Sequence, residues 1–342
     1  MPLFDKAPGE APQGTWRGTM RYRWVPSTSG DAHGEWSGDY ELQNARVSLD
    51  GLADPLRIQS ATVSLNGPRL SVMRLRARAG SIAFTGEYHW DPKATRPHLF
   101  RIAIPEADAA ELVRLWTPAL VRERGFLART LRLSPEPLPD WLKDRRADGT
   151  VSVGSLNLAS LNPGSLNSGS LNPGDAHLKI DGARLLWDGA QVRLLHADAH
   201  LDQASLNGDI ALDLSGRSPH YHAVGKVADF AYNGGRLDFE GSLDGDAFGS
   251  ARAEGSLRGR SIAFAPDNDF RSVTGCFEIV TAAEGRTGIA PRWKLTELEV
   301  FEGGEAFYGT GATQPDGRLA LELLGHGRQL HVSSGPPVMA LQ

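Results

Sequence analysis

A short phrase returns along this chain: an apolar residue, any residue, glycine, any residue, and a second apolar residue. It reads Phe84-Thr85-Gly86-Glu87-Tyr88, Leu206-Asn207-Gly208-Asp209-Ile210, Phe239-Glu240-Gly241-Ser242-Leu243 and Val273-Thr274-Gly275-Cys276-Phe277. Side chains of a strand alternate between its faces, so the two apolar residues and the glycine share one face. A helix would lose about 0.5–1 kcal/mol at each interior glycine, whereas a sheet uses glycine at bends and close backbone approaches. The phrase therefore predicts many similar strands, each apolar on one side. The 39 glycines among 342 residues exceed the ordinary share of about 7% and favour a turn-rich, mainly β chain.

Residues 1–15 hold three prolines and few apolar side chains and read as a disordered lead-in. Strand-like runs follow from Trp16 to Val25, Trp36 to Leu49, Leu56 to Leu65, Leu70 to Ala77, Ile82 to Trp90 and Leu99 to Ile104. In the fifth, Ile82, Phe84, Tyr88 and Trp90 lie on one face, with Thr85, Glu87 and His89 on the other. Turns are expected at Asp50-Gly51, Asn66-Gly67, Asp181-Gly182, Asp188-Gly189, Asn233-Gly234, Asp244-Gly245 and Asp316-Gly317, because such pairs accept the positive φ of tight hairpins.

The period changes at Pro105. Pro105-Glu106-Ala107-Asp108 reads as the first turn of a helix, followed by Leu112, Leu115 and Trp116 at helical spacing. A second helix is expected from Pro118, with Leu120, Leu127 and Leu131 on one side, and a short third one from Pro139 to Lys143. Residues 105–144 thus form a helical insertion between β segments 16–104 and 145–334. The second segment carries a Ser-Leu-Asn repeat at Ser155, Ser160, Ser165 and Ser170, read as a low-complexity loop over 154–174. Further on, Leu206, Ile210, Leu212 and Leu214 alternate, as do Leu319, Leu321 and Leu323, before a flexible tail over 335–342.

Chemistry is harder to find. Net charge is −5, so no global basic field draws nucleic acid. The one cysteine, Cys276, leaves no internal disulfide and no cysteine-based zinc site. No apolar run approaches the roughly 18 residues that span a bilayer, and Met1 to Lys6 has no secretory apolar core. The chain reads as soluble, any export depending on a segment outside it. His196, Asp198 and His200 would resemble a zinc-ligand spacing in a helix, whereas in a strand they form a solvated face opposite Leu195, Ala197, Ala199 and Leu201. His220 and His222 share a face in the same way. Asp267, Asn268 and Asp269 lack the glycine and distal glutamate of a calcium loop. No nucleophile elbow, phosphate-binding loop, dinucleotide fingerprint or His-Glu-x-x-His occurs. Carboxylates are plentiful, yet no glycosidase pair stands out. No catalytic, metal or cofactor residue is assigned. Arg122, Arg124, Arg129 and Arg132 give the helical insertion a basic surface suited to lipid headgroups or to plain solvation.

Several segments, in order, resemble a known family. They are Ile104-Pro105-Glu106-Ala107-Asp108-Ala109-Ala110-Glu111-Leu112, Arg124-Gly125-Phe126-Leu127-Ala128-Arg129-Thr130-Leu131 and Leu138-Pro139-Asp140-Trp141-Leu142. Arg96-Pro97-His98, Leu186-Trp187-Asp188-Gly189 and Gly311 to Leu319 flank them. Together they resemble the C-terminal region of bacterial AsmA-like proteins, from about Trp36 to about Val332. The resemblance implies a non-enzymatic cell-envelope protein on the periplasmic side of the inner membrane, anchored through a segment absent from this chain. It further implies an elongated antiparallel sheet curled into a half-pipe, an apolar interior that moves phospholipid towards the outer membrane, and envelope protein partners. The Ser-Leu-Asn repeat is not a feature of that family.

Residues and resemblance converge on one expectation: roughly 16 strands about 4.8 Å apart, whose apolar face shelters acyl chains at about 0.8 kcal/mol per CH₂. The candidate lining is Ile82, Phe84, Tyr88, Trp90, Leu206, Ile210, Leu212, Leu214, Leu319, Leu321 and Leu323. Each would serve equally well in a closed, dry core. The alternatives are a structural β-solenoid that binds a protein or polysaccharide, and a carbohydrate-active β-helix.

Overall fold

The computed structural model describes residues 13–25, 33–120, 140–158, 177–216, 218–232, 234–246, 250–265, 268–281, 292–315 and 317–333. Strands dominate them. The first set is β1 (Gln13–Val25), β2 (His33–Val47), β3 (Leu56–Asn66), β4 (Arg69–Ala79), β5 (Ile82–Trp90) and β6 (His98–Asp108). Helices α1 (Ala109–Leu120) and α2 (Asp140–Lys143) follow. Next come β7 (Arg146–Asn157), β8 (His177–Asp188), β9 (Gln191–Leu201), β10 (Ala204–Asp213), β11 (His220–Tyr232) and β12 (Gly235–Asp246). The last are β13 (Ala251–Ala265), β14 (Asn268–Val280), β15 (Arg292–Glu302), β16 (Glu305–Thr313), β17 (Leu319–Gly325) and β18 (Arg328–Ser333). The 18 strands of the described residues belong to one sheet, predominantly antiparallel and a little larger than the expected 16. Consecutive strands pair from β1 to β6 and from β10 to β18.

The chain divides into two compact units, Met1–Leu156 with Gly182–Arg193, and Asn157–Asp181 with Leu194–Gln342. In the first, one core cluster lies on β2–β4, with Leu42, Ile58, Val63, Leu65, Leu70 and Leu75 buried. A smaller one joins Ala79, Ile82 and Ala107 to Leu115 of α1. In the second, Leu257, Phe270, Leu295, Leu298, Val300, Phe307, Leu321, Leu323 and Val332 form a continuous core across β13–β18.

The helices have a topological cause. A Cβ added at Gly149 would meet Phe100, and one at Gly154 would meet Pro105. The offset is the same in both, so β7 lies beside β6 and runs in its direction. A same-direction neighbour needs a long crossover, usually helical, and the segment between Asp108 and Arg146 supplies it. Its helical start lies later than the sequence implied: β6 continues through Pro105 and Glu106 to Asp108. The cap is Asp108, whose Oδ1 accepts from the N–H of Ala110 at 3.0 Å and of Glu111 at 3.3 Å. The Pro-Glu-Ala-Asp signature thus places the start one turn early, because a strand beside β7 satisfies its backbone as well as a helix would. Pro118 does not open a second helix either; it sits inside α1, where the Thr117 hydroxyl donates to the Val113 carbonyl at 2.7 Å. The third expected helix is α2. The segment with Leu127, Leu131 and the arginines lies outside the described residues.

Loops pin the crossover. Glu111 accepts from the Ser81 N–H at 3.1 Å, and Arg114 pairs with both Glu111 and Asp54. Leu142 of α2 is fully buried, and the Trp141 ring lies over Gly51, a turn glycine with φ 89°. Arg96 donates from Nη1 to the carbonyls of Ala147 at 3.2 Å and Trp187 at 3.0 Å, tying the β5–β6 connection to β7 and β8.

Curvature comes from bulges. Asn44, Arg74, His196, Asp229, Ser261 and Glu297 lie inside strands with φ between 52° and 57°, on β2, β4, β9, β11, β13 and β15. An L-residue in this left-handed region is held at a cost of roughly 1–2 kcal/mol. An extra residue on one strand bends it and increases its twist. Side chains secure two of these bulges: Asp209 Oδ1 accepts from the His196 N–H at 2.6 Å, and Asp238 Oδ1 from the Asp229 N–H at 2.8 Å. Within the second unit the curl brings β18 back against β13, which closes the core just described.

The glycines of five of the seven expected turn pairs lie at connections, with positive φ at Gly51, Gly67, Gly189, Gly234 and Gly317. Asp181-Gly182 and Asp244-Gly245 lie inside β8 and β12 instead, where pairing with neighbours outweighs the local turn preference. The first Ser-Leu-Asn copy, Ser155–Asn157, belongs to β7. The later copies, the lead-in up to residue 12 and the tail beyond Ser333 lie outside the described residues.

Candidate functional site

The recurrent phrase becomes a two-dimensional pattern once the strands are in register. Gly208 stands opposite Gly225, Gly225 opposite Gly241, and Gly241 opposite Gly255. Four adjacent strands, β10–β13, thus place glycine on one row. Apolar rows flank it: Leu206, Val227, Phe239 and Leu257 on one side, Ile210, Ala223, Leu243 and Ala253 on the other. The row is required sterically. A Cβ on Gly255 would collide with the Glu240 carbonyl oxygen and sit 2.7 Å from the Gly241 Cα, and one on Gly225 would sit 2.6 Å from the Asn207 carbonyl oxygen. Val273-Thr274-Gly275-Cys276-Phe277 falls out of step, since Gly275 faces Leu257 and Phe277 faces Gly255.

The covering of this face changes along the sheet. Leu206, Ile210, Leu212, Val227, Phe239 and Leu243 are only half-buried, although they occupy interior positions of paired strands. From β13 onwards the same face is filled: Leu257, Ile279 and Leu295 are under 10% exposed, and Leu319, Leu321 and Leu323 between 0% and 5%. Phe239 stands at the transition, its ring 6.3 Å from Phe230 and 5.7 Å, edge-on, from Phe277. An apolar face that is partly buried over β10–β12 therefore runs into a fully buried core.

The eleven candidate residues divide accordingly. Leu206, Ile210 and Leu212 stand together on the partly buried face. Leu214 is buried just past the end of β10. Leu319, Leu321 and Leu323 are core and present no surface in this conformation. In the first unit Ile82 is buried under α1. Phe84, Tyr88 and Trp90 are half-buried against the β2–β4 cluster. The Tyr88 hydroxyl lies 2.8 Å from His98 Nδ1. Burial pushes Tyr88 up to about 12. It pulls His98 down to about 4, helped by the positive charge of Arg145. His98 is thus a neutral partner of the phenol at neutral pH.

The opposite face of β10–β15 is polar. It forms a concavity of about 1170 Å³ that includes Asp209, Lys226, Glu240, Glu254, Glu278 and Lys294. Charges on this face neutralise one another: Lys226 meets Glu240 at 2.9 Å and Arg252 meets Glu278 at 3.1 Å across strands, and Arg252 meets Glu254 at 3.2 Å along β13. Such exposed pairs are worth little individually. His196 and His200 approach different carboxylates, Asp209 and Asp181, because the bulge at His196 breaks the alternation. His220 and His222 pair with Asp246 and Asp244, both at 3.2 Å, and Asp246 raises the His220 pKa. Among the described residues no group of three or more His, Cys, Asp or Glu is placed to hold a metal ion. Nor is any helix among them long and apolar enough to cross a membrane.

Sequence reasoning misses Gly225, Val227 and Gly255, and quotes Phe239 and Leu243 in the recurrent phrase without placing them in the candidate lining. Ala223-Val224-Gly225-Lys226-Val227 and Ala253-Glu254-Gly255-Ser256-Leu257 are the same phrase with alanine in the first position, and a phrase that accepts alanine there finds them. No protein-family model, no curated protein and no solved structure matches the chain.

Proposed function

We propose that this chain is a non-enzymatic envelope protein that shelters phospholipid acyl chains on the apolar face of β10–β12, with headgroups left in water. One observation carries the reading. Two apolar rows flank the glycine row, and Leu206, Ile210, Val227, Phe239 and Leu243 on them are only partly buried at mid-sheet. A contiguous apolar sheet face of this kind favours a partner, since each methylene removed from water contributes about 0.8 kcal/mol. An acyl chain suits it better than a protein core does, because attraction to such a surface is non-directional and lets the guest slide. The resemblance to AsmA-like proteins supports the periplasmic side of the inner membrane as the place of action and transfer towards the outer membrane as the purpose.

The sealed core of β13–β18 favours a second reading, a structural β protein that binds another protein or a polysaccharide. Native mass spectrometry of gently purified protein separates the two. Lipid transfer expects bound phospholipid in the wild type and its loss from a Leu206→Glu/Ile210→Glu variant that retains wild-type circular dichroism. Lipid-free wild-type protein, or lipid that persists in the variant, would count against it.

A further inference from the structure

The first strand presents a different surface. Among the described residues β1 has its hydrogen-bonded register with β2, and its side chains are exposed on both faces from Gln13 to Trp24. Within the first unit β2 is its one paired neighbour among the described residues, which leaves the other side of β1 as an edge there. Its two faces differ sharply. Trp16, Met20, Tyr22 and Trp24 share one face and are 44–60% exposed. Arg17, Arg21 and Arg23 share the other.

On its paired side β1 already shows what fits it. Arg17 stands opposite Glu41, Thr19 opposite Asp39 and Arg23 opposite Glu35. On the other face Trp16 packs on Tyr40 at 5.1 Å and Tyr22 on Trp36 at 4.8 Å between ring centroids. A strand that alternates carboxylates with apolar residues satisfies both faces at once. We infer that the open edge of β1 takes a second strand of this kind from an acidic, extended segment of a partner protein, by addition to the sheet. In such complexes backbone hydrogen bonds give affinity and alternate side chains give specificity.

Charge excludes a second copy of this chain at that edge. Two β1 strands paired antiparallel would set one arginine face against the other, and like charges directly opposite are destabilising. The other terminal strand, β18, carries Arg328, Gln329, Leu330, His331, Val332 and Ser333 and offers no carboxylate. An anionic bilayer fits less well than a peptide. Inserting the aromatic face would turn the three arginines away from the headgroups, whereas a neighbouring strand meets both faces.

The test titrates the full chain with short, end-blocked, fluorescein-labelled peptides and reads anisotropy. One alternates valine with glutamate, one alternates valine with lysine, and a third is the glutamate peptide with alternate backbone amides methylated. The glutamate peptide is expected to bind at least about tenfold more tightly than the lysine peptide, more weakly at high salt, and not at all when methylated. A folded Arg17→Glu/Arg21→Glu/Arg23→Glu variant is expected to reverse the preference. Equal binding of the first two peptides, or undiminished binding of the methylated one, would overturn the inference. So would failure of all three while phosphatidylglycerol vesicles shift the tryptophan emission of the wild type.

Discussion

Adding one methyl group at two glycines should have opposite consequences. Gly255 lies in the glycine row, where a Cβ would overlap the Glu240 carbonyl oxygen and sit 2.7 Å from the Gly241 Cα. Both obstacles are backbone, and both belong to a strand paired on its far side, so the ladder itself must move. Forcing a methyl into such a site costs typically about 1–3 kcal/mol. The reduced entropy of the unfolded chain returns only about 0.4–1 kcal/mol. Gly255→Ala is therefore expected to destabilise by about 1–2 kcal/mol. Gly182, inside β8, has no atom within 4 Å of the point where an alanine methyl would stand and no positive φ. Gly182→Ala keeps the entropic gain without the clash and should be neutral or stabilising by up to about 1 kcal/mol. Urea denaturation followed by circular dichroism gives the two midpoints, with the slope checking that each unfolding exposes the same surface. Equal midpoints, or a more stable Gly255→Ala, would refute the view that the glycines exist for close strand approach.

Three further outcomes follow from the same structure. Leu323→Ala, at a fully buried core position, should cost about 2–5 kcal/mol in urea denaturation, whereas Leu206→Ala, at a partly buried position, should cost clearly less. His196→Gly and Asp229→Gly, at bulges with φ 52° and 57°, should each stabilise by about 1 kcal/mol in the same assay, because glycine adopts this conformation freely. His98 titrates near 4 in the folded chain against an ordinary value of 6.5, so below pH 6.5 the unfolded chain binds a proton that the folded chain does not. Stability should therefore fall as pH drops from about 6.5 to about 4 and level off below it, and His98→Gln should flatten that part of the stability–pH curve.

How much is readable from the chain alone follows from the range of each interaction. Alternation along β5, β10 and β17 is a local property, so the mainly β class and the apolar faces are legible from Ile82, Leu206 or Leu319 and their neighbours. Register is not local. That Gly208, Gly225, Gly241 and Gly255 share a row depends on bulges and on three successive strand pairings, and no single segment records it. The same limit hides which apolar face is fully buried: Leu206 and Leu321 look alike in sequence, yet one stays only partly buried and the other lies in the core that β18 completes by its return to β13. The crossover from β6 to β7 shows a third limit. Pro105 to Asp108 satisfies helical start rules, but a same-direction neighbour holds those residues in the strand and leaves Asp108 as the cap.

Adjacent positions Leu206 and Asn207 point to opposite faces of β10, which makes them the sharpest probe of lipid binding. A photoreactive benzoylphenylalanine placed at each in turn, irradiated in envelope-containing cells and read by mass spectrometry of the purified chain, reports what touches each face. Phospholipid adducts at position 206 and none at 207 are the expected result. Adducts at both positions in equal yield, or only protein adducts at 206, would contradict an acyl-chain site on the apolar face.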